Sequence, residues 1–557
     1  MLIKQNKGKT MFVSNLTELP NFRLDEPLFL DTETDGLYGQ VRLLQLYQPS
    51  VGEPVIIDYV TYEDNFELLK LKLREHWIVC HNATYDMTVL GIIPKQLDDT
   101  LYLARHAFLK LENYSLDRVV IACGLGNLYA GIDKKEMQKS NFSEEAILQP
   151  EQYKYAELDV RALAGIWEKL KSFRDIVAYK VDMLSMRYAL QYQRNGIGVN
   201  KQLVMNDFQE TEDKIVTNEL ELNGLNVNSP KQCKEALKLE TTDKSALLKA
   251  ISQGNKLAKL VFEQRRLLKR KTMLESYMYD KVYTIFNVAG AVSGRFTASG
   301  KGITQGINGQ QIPRSCKYFF HNASPDILTI EADYSTLELR LAATIFGDNN
   351  MRQQLVEGKD LHREVAAALL NKKPEDVTKD DRTKAKAVNF GFVYGMSAKK
   401  FMDYAFDSYG LTLDINEAGQ WRNTYFRMYP QIALYHKYIW EHYKDAGFYV
   451  QTALGRKIAP KLGTDALNVA VQGSGAECTK LAIHYLVKDN DKYLNYITNV
   501  VHDSIKLEVP ISITEQAKKD LETAMLKAWK ELLTSTLCKF KDIPMLVDIE
   551  VKGANND

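Results

Sequence analysis

The chain has 557 residues with a formal net charge of +1, and 45% of them are hydrophobic and 26% charged. This ordinary globular composition provides core for roughly three or four domains, and the near-neutral charge neither implies nor excludes nucleic-acid binding, because it can conceal a basic groove. Six scattered cysteines without a CxxC pair exclude a structural zinc site. The N-terminus lacks the apolar core of a secretory signal, and no apolar run reaches about 18 residues, which predicts a soluble, cytoplasmic protein without membrane contact.

The first part of the chain, residues 1–175, alternates short apolar strands with helical stretches. The strand-like segments are PLFLDTETD, VRLLQLYQ, EPVIIDYV and WIVC, and FELLKLKLREH is typical of a helix. This alternation predicts an α/β domain. Residues 176–290 are predicted to be mainly helical and carry many Lys and Arg.

The composition changes again after residue 290. A Gly-, Ser-, Thr- and Gln-rich stretch at 291–314 predicts a loop with basic residues, and ILTIEADYS predicts a strand. Helices are expected to dominate from about 335 to 445. Near the end, NVVHDSIKLEV at 499–509 is apolar on both sides of His502-Asp503, which predicts a hairpin with a two-residue turn.

A first set of acidic side chains lies in the α/β part. Asp31 and Glu33 are two apart at the end of an apolar strand, so both point to one face, and Asp86 follows a predicted strand. Tyr155 and Asp159 are four apart and share one face of a predicted helix. Four carboxylates and a phenol are the inventory for two divalent cations with oxygen ligands, which can activate water for phosphodiester hydrolysis while the tyrosine orients that water.

Each member of this set has a simpler interpretation on its own: a turn for Asp31 and Glu33, a helix cap for Asp86, and an ordinary helix surface for Tyr155 and Asp159. The set in this order is more specific than any member. All five residues resemble the three motifs of proofreading 3′–5′ exonuclease domains of the Asp-Glu-Asp-Asp type, tyrosine subclass. The neighbouring Asp98-Asp99-Thr100 and NYSLDRV resemble the same domain.

A second acidic set lies in the C-terminal half. Asp333 ends a predicted strand, Glu338 follows just beyond, and Asp503 sits at the tip of the predicted hairpin. Two aspartates on neighbouring strands could hold a second pair of cations. The simpler interpretations are a helix N-cap for Asp333 and a solvated turn for Asp503.

Between these aspartates, DRTKAKAVNFGFVYG carries a stripe of side chains at a spacing of four. Its members, Arg382, Lys386, Phe390 and Tyr394, drift slowly along one face of a predicted helix. The cations can meet phosphates and the aromatic rings can stack on a base or a sugar. The alternative is a solvated basic face beside core aromatics.

These three segments resemble motifs A, B and C of family A DNA polymerases, the DNA polymerase I family, and the resemblance covers about residues 25–552. It extends to SGRF (293–296), GQQIPR (309–314), KDLHREVA (359–366), MYPQI (428–432), TALGRK (452–457) and NVAVQGSGAE (468–477). No segment corresponds to a 5′-nuclease domain, and 176–290 has no long insertion of the kind that binds a processivity factor in some phage relatives.

The resemblance implies a mixed α/β architecture, an RNase H-like exonuclease domain followed by a right-hand polymerase domain. The expected division is exonuclease 1–178, thumb 179–292, first part of the palm 293–345, fingers 346–430 and second part of the palm 431–557. It also implies two Mg²⁺ ions between Asp333 and Asp503, with the Tyr334 carbonyl as a further ligand. Two more belong to the exonuclease site at Asp31, Glu33, Asp86 and Asp159, and Mn²⁺ shares these ligand preferences.

The resemblance further assigns residues to nucleotide and DNA. Arg382, Lys386 and His362 are expected at the triphosphate, Phe390 and Tyr394 in the nucleotide pocket, and Glu338 as the steric gate against ribonucleotides. The expected DNA contacts are Arg295, Gln310, Arg456, Asn468 and Gln472, with His502 near the primer terminus. Hydrogen bonds to minor-groove acceptors common to all base pairs would check pair shape.

Four positions depart from the family pattern. Ser504 stands where motif C usually has Glu, Thr336 where Gln is common, and Thr383 where a second Arg is common. Catalysis is expected to survive, but the supporting role of the third motif C carboxylate is in doubt. Phe390 replaces the Tyr that tolerates dideoxynucleotides in some relatives, which predicts discrimination against them.

The sequence therefore predicts a DNA-directed DNA polymerase with its own 3′–5′ proofreading, in form like a replicative bacteriophage enzyme in the host cytoplasm. Its partners would be primer–template DNA and dNTPs, with a helicase, single-strand-binding or processivity partner open, and the chain is expected to be a monomer. An organellar or bacterial origin is the alternative. A single-subunit RNA polymerase, a nuclease whose C-terminal part only binds DNA, and a non-enzymatic scaffold are the competing functions, and the intact acidic sets and Glu338 disfavour them.

Overall fold

The computed structural model describes residues 10–130, 132–137 and 139–553. Within these ranges, no helix combines the length and the apolar character that a bilayer crossing requires. All six cysteines are buried and none forms a disulfide.

The N-terminal part is built on a six-stranded mixed sheet. Its strands are β1 Met11–Phe12, β2 Pro27–Thr34, β3 Val41–Tyr47, β4 Val55–Asp58, β5 Trp77–Cys80 and β6 Gln96–Asp99. The order is β1-β4-β3-β2-β5-β6, with β2 antiparallel to β3 and parallel to β5. The helices around it are α1 Phe66–Arg74, α2 Ala83–Leu90, α3 Thr100–Ala107, α4 Leu116–Ala122, α5 Lys134–Met137 and α6 Pro150–Leu170. The α/β prediction for this part is confirmed.

Strand β2 is central because apolar side chains cover it on both sides. Leu28, Phe29 and Leu30 are all at most 2% exposed, as expected for a strand with neighbours at both edges and helices on its faces. Helix α6 packs on β2 and β3. Pro150 starts this helix, where the missing amide hydrogen costs nothing.

The predicted mainly helical segment is also confirmed. It contains α7 Val177–Asn195, β7 Ile197–Gly198, α8 Lys201–Leu222, α9 Pro230–Leu237, α10 Lys244–Ser252, α11 Lys256–Glu275, β8 Lys281–Val282 and β9 Ile285–Asn287. The stretch 291–314, predicted to be a loop, contains the short strand β10 Thr297–Ser299, which pairs with β9. Helices α8 to α11 carry hydrophobic clusters separate from the main core, whereas α7 belongs to the main core. The predicted thumb begins at residue 179, inside α7. Because α7 packs in the main core, part of the predicted thumb packs with the neighbouring domains. The domain bounds stay predictions.

The C-terminal part is built on a four-stranded antiparallel sheet. Its order is β14-β15-β11-β16, formed by β11 Ile327–Tyr334, β14 Ile497–Val501, β15 Ser504–Pro510 and β16 Val547–Lys552. Strands β14 and β15 form the predicted hairpin around the turn at His502 and Asp503, and His502 adopts a left-handed φ of 57°. Asp333 on β11 pairs with Ser504 on one side and Asp548 on the other.

Helices surround this sheet and extend away from it, as predicted for 335–445. They are α12 Leu337–Ala342, α13 Asn349–Val356, α14 Leu361–Leu370, α15 Lys379–Val393, α16 Ala398–Tyr409, α17 Ile415–Met428, α18 Pro430–His442, α19 Gly463–Asp489 and α20 Thr514–Leu532, with the short strands β12 Val450–Gln451 and β13 Lys457–Ile458 before α19. Helix α15 ends at Val393, so Tyr394, which was predicted to lie on this helix, is its C-cap residue.

Candidate active sites

The first acidic set meets where α6 crosses β2. Asp31, Glu33 and Asp159 each offer an oxygen atom, and these atoms all lie within 4.8 Å of one another. The two-residue spacing on β2 gives Asp31 and Glu33 a common face, and the packing of α6 adds Asp159. Three carboxylates this close repel each other unless protons or a cation neutralise them, so the group fits a divalent cation.

Asp86 lies beside this group on α2, outside the three residues whose oxygens converge. It is buried and accepts a hydrogen bond of 2.8 Å from the Thr32 hydroxyl. Burial raises the pKa of Asp86 to about 7. Burial raises the pKa of Glu33 well above its usual value, and the charges of Asp159 and Asp86 add to the effect. The interaction between Asp86 and Glu33 joins the fourth acid to the site electrostatically.

Two tyrosines enclose Asp159. Tyr155, one turn earlier on α6, is 6% exposed, and burial followed by the charge of Asp159 raises its pKa. The Tyr129 hydroxyl donates to Asp159 Oδ1 from the end of a short 3-10 helix, Gly126–Tyr129. Tyr129 was not foreseen, since it lies 30 positions before its partner and no strand or helix period links the two.

The simpler interpretations of these residues are wrong. Asp31 and Glu33 lie within a strand, and Tyr155 and Asp159 are buried instead of forming a helix surface. The N-cap position of α2 belongs to Asn82, which leaves Asp86 inside the helix.

The second acidic set meets at the end of β11. Removal from water raises the pKa of Asp333 to about 7, and the charge of Asp503 is the next cause. Burial likewise raises the pKa of Asp503. The N-cap interpretation of Asp333 is wrong, because Thr336 precedes α12. The negative charge of one carboxylate makes ionisation of the other less favourable, and a divalent cation between them would remove this repulsion. The pair therefore fits a shared divalent cation.

Glu338 connects the loop before the palm strand with the end of α15. Its carboxylate forms an ion pair with Arg295 and accepts a hydrogen bond from the Tyr394 hydroxyl. Gln472 lies next to the same tyrosine, where it lowers the otherwise raised pKa of Tyr394. The predicted gate, two predicted DNA contacts and one pocket residue therefore form a single polar cluster.

The predicted stripe runs along α15 and ends at its C-cap residue, Tyr394. All four members are partly exposed, whereas Ala387, Val388 and Phe392 beneath them are buried. Arg382 Nε donates to Asp360 at 2.6 Å, and burial followed by the charge of Arg382 lowers the pKa of Lys386. The interpretation as a core residue is therefore disfavoured for Phe390, whereas Tyr394 packs against the main hydrophobic core.

His362 is packed behind this stripe and is 2% exposed. Burial lowers its pKa to about 4, and a ring nitrogen lies 3.0 Å from the Asn389 amide nitrogen. Its ring centre is 5.9 Å from that of Phe390. The structure thus places His362 beside the predicted nucleotide pocket, in its neutral form.

Three predicted DNA contacts line one cavity. Arg456, Asn468 and Gln472 border a space of about 590 Å³, with Arg105 and Tyr114 of the N-terminal domain on its opposite wall. Arg456 itself is only 5% exposed, and its guanidinium pairs with Asp182 at 2.5 Å.

The remaining predicted DNA contacts surround the hairpin. Gln310 donates to the Val500 carbonyl at 3.0 Å. Desolvation, followed by the charge of Arg295, lowers the pKa of His502, the imidazole beside Asp503. The role of each predicted site residue stays a prediction.

Two known family patterns match this chain. The pattern described as DNA polymerase family A matches residues 198–556, and the pattern described as 3′-5′ exonuclease matches residues 2–173. The chain belongs to DNA polymerase family A. It is a DNA polymerase that carries a 3′–5′ exonuclease domain, and both expectations from the sequence are confirmed.

Individual relatives agree with the family. The chain is 30% identical to DNA polymerase I of Aquifex aeolicus over 94% of both proteins. It is 26% identical to DNA polymerase I of Pseudomonas aeruginosa, of which it spans 56%, and 29% identical to the thermostable DNA polymerase I of Thermus filiformis, of which it spans 37%. The fold resembles the POL domain of Pol1 from M. smegmatis in complex with DNA primer-template and dNTP, with a TM-score of 0.74, 20% identity and 94% of both chains covered.

Proposed function

We propose that this family A enzyme extends a primer 3′ end on a DNA template at Asp333 and Asp503, and removes mispaired ends at the separate site of Asp31, Glu33, Asp86 and Asp159. The observation that carries this proposal is the presence of two separate acidic groups, one where α6 meets β2 and one where the end of β11 meets the hairpin turn. Divalent cations, Mg²⁺ with Mn²⁺ as a substitute, would supply the same chemistry at both sites by lowering the pKa of an attacking hydroxyl or water and stabilising the leaving oxygen.

At the polymerase site, Asp333 and Asp503 provide the carboxylates on neighbouring backbone segments, and the Tyr334 carbonyl is the further proposed ligand. Arg382 and Lys386 lie on the exposed face of α15, where they would hold the triphosphate and offset charge that develops on pyrophosphate. Neutral His362 would support that face from behind.

Selection of the nucleotide depends on the cluster around Glu338. Because Glu338 is already held by Arg295 and Tyr394, its side chain is fixed in place and can exclude a ribose 2′-hydroxyl. Phe390 and Tyr394 would border the incoming base. Asn468 presents a buried Oδ1 atom with no hydrogen-bond partner among the described residues, which suits a donor on the bound DNA.

At the exonuclease site, the carboxylates of β2 and α6 would hold the cations, and Tyr155 would orient the attacking water. Tyr129 donates to Asp159 and fixes the orientation of its carboxylate. The raised pKa values of Glu33 and Asp86 support cation binding, since a bound cation would favour their charged forms.

We further propose that primer–template DNA and dNTPs are the substrates, that the enzyme works as a monomer, and that its role is replicative and of bacteriophage type. The complex of the M. smegmatis polymerase domain with DNA primer-template and dNTP supports the first of these. A single-subunit RNA polymerase is disfavoured by Glu338 and by the exonuclease domain.

A mismatched primer tests both sites at once. The protein is incubated with a labelled primer–template that has one mismatched 3′ base, Mg²⁺ and four dNTPs, alongside the variants Asp86→Ala and Asp503→Asn. We expect the wild type to trim and extend, Asp86→Ala to lose trimming, and Asp503→Asn to trim without extension. A wild type that only shortens the primer would contradict the proposed polymerase function.

A further inference from the structure

Ser504 lies beside the two aspartates of the proposed polymerase site. Ser504 replaces the carboxylate that usually follows the aspartate of motif C, and it lies directly opposite Asp333 in the β11–β15 ladder. Side chains directly opposite each other in a sheet are neighbours on one face. A short hydroxyl at this position leaves the space that a longer acidic side chain would fill.

The neighbouring strand provides an acid that reaches this space. Glu331 lies two residues before Asp333 on β11, so both side chains project from the same face. The Ser504 hydroxyl donates to Glu331 Oε1 at 3.4 Å. A glutamate at position 504 would place its carboxylate beyond the position of the Ser504 hydroxyl oxygen. The Glu331 carboxylate lies on that side of the hydroxyl.

Glu331 is held in this place by basic side chains. Lys317 approaches its carboxylate at 3.3 Å, and Lys506, its partner across the ladder, approaches at 3.9 Å. Its side chain is 17% exposed. Its charge also acts on Asp333, where it ranks after burial and Asp503 among the causes of the raised pKa.

We propose that Glu331 is the third acid of the polymerase site, a positioning residue that supplies from β11 the negative charge that Ser504 cannot supply from the hairpin. This inference rests on the proposed function of Asp333 and Asp503. Glu331 would act on the cation through the field at these two aspartates and through the Ser504 hydroxyl, because an acid close to carboxylate ligands strengthens their attraction for a cation.

Exchange of the two positions is the sharpest test. The variants are Glu331→Gln, Ser504→Glu and the double variant, with Glu550→Gln as the matched control. Glu550 pairs with Glu331 in the sheet but lies on β16, where it forms an exposed ion pair with Lys552. Each variant is also made with Asp31→Ala, so that cation binding at the exonuclease site is removed from the comparison.

Two readouts are measured. Mn²⁺ binding is followed by electron paramagnetic resonance in the complex with a dideoxy-terminated primer–template and the next dNTP, where no chemistry occurs. The Mg²⁺ dependence of primer extension is measured separately. We expect Glu331→Gln to weaken Mn²⁺ binding about tenfold, Glu550→Gln to leave it within about twofold, and Ser504→Glu to restore binding in the double variant.

The outcomes separate this inference from the function on which it rests. If Glu331→Gln behaves like Glu550→Gln, or if the double variant binds no better than Glu331→Gln, Glu331 is not the third acid. Asp503→Asn is run in parallel. If that variant binds the cation and extends the primer as well as the wild type does, the proposed polymerase site itself is overturned. Exonuclease activity of Glu331→Gln without the Asp31 change verifies that the protein has folded.

Discussion

At the scale of single residues, burial decides the protonation of the exonuclease acids. Asp86 is 3% exposed and keeps a proton to about pH 7, whereas the same group in an unfolded chain loses it near pH 4. Between these values the native protein binds more protons than the unfolded chain. The free energy of unfolding therefore falls as the pH rises through this window when no cation is bound.

Replacement of Asp86 with Asn removes this contribution. In EDTA we expect the wild type to lose stability from pH 5 to pH 8, and Asp86→Asn to lose less, by on the order of 2–4 kcal/mol. Urea unfolding at several pH values measures the difference. Asp213→Asn on the exposed side of α8 is the control, and parallel pH profiles for the wild type and Asp86→Asn would contradict the expectation.

Phe390 carries a prediction about nucleotide choice. Its ring lies on the partly exposed face of α15 beside His362. A tyrosine hydroxyl in the nucleotide pocket offers a polar contact that can compensate for the missing 3′-hydroxyl of a dideoxynucleotide. We expect Phe390→Tyr to raise the dideoxynucleotide-to-deoxynucleotide ratio of kcat/KM at least tenfold, about 1.4 kcal/mol.

The matched control for this change is Phe406→Tyr, which adds the same hydroxyl to an exposed ring on α16. It should leave the ratio unchanged. A wild type that uses both nucleotide types equally well would show that Phe390 does not discriminate.

At the scale of elements, two glycines of NVAVQGSGAE on α19 differ in what surrounds them, and only Gly473 allows a close approach of backbone. A Cβ atom on Gly473 would lie 2.5 Å from Thr452 Cγ2 and 2.6 Å from the Ser293 carbonyl oxygen. The helix thus lies directly against β12 and the loop that carries Arg295. A Cβ atom on Gly475 would meet only the side chains of Leu337 and Leu341, at 3.3 Å and 3.5 Å.

These two glycines form a matched pair. We expect Gly473→Ala to destabilise the polymerase domain by about 1–3 kcal/mol and to slow extension, because backbone must move. Gly475→Ala should be near neutral, because the gain in helix propensity of about 1 kcal/mol offsets the tighter leucine contacts. Thermal unfolding and extension rates measure both, and equal effects of the two changes would argue against the close approach at Gly473.

At the scale of the whole molecule, a buried ion network joins α7 to the polymerase core. Asp182 on α7 and Lys480 on α19 are both 0% exposed and lie 2.7 Å apart, and Lys480 also donates to the Gly294 carbonyl at 2.8 Å. Arg456 pairs with the same aspartate. Helix α7 follows the exonuclease domain, so this network fixes the junction of the two halves.

Loss of one charge from this network should be costly. We expect Asp182→Asn to destabilise the protein by about 3–5 kcal/mol, because two buried cations lose their partner. Adding Lys480→Met should recover part of that loss, since the remaining Arg456 still pairs with the buried Glu477 at 3.9 Å and these two charges cancel. Asp542→Asn, which breaks the exposed pair with Arg352, should cost less than about 1 kcal/mol.

Chemical unfolding under one condition measures the wild type, the single variants Asp182→Asn and Lys480→Met, the double variant and Asp542→Asn. Additive losses in the double variant would indicate that Asp182 and Lys480 do not interact. An Asp182→Asn variant as stable as Asp542→Asn would show that the network contributes no more than a surface pair.

Much of this enzyme could be read from its sequence. Local periodicity predicted β2, the helix of Tyr155 and Asp159, and the hairpin at His502 and Asp503, because each pattern repeats at the spacing of its own element. The order of the acidic and basic motifs determined the polymerase family and its exonuclease domain, since each motif is short and contiguous.

Only the tertiary structure decided which distant residues meet. It placed Tyr129 on Asp159, Glu331 beside Ser504, and Arg456 inside a buried network instead of an open groove. These contacts join residues from different strands, helices and loops, and no spacing along the chain encodes them. They depend on how sheets and helices pack, which is a property of the folded molecule as a whole.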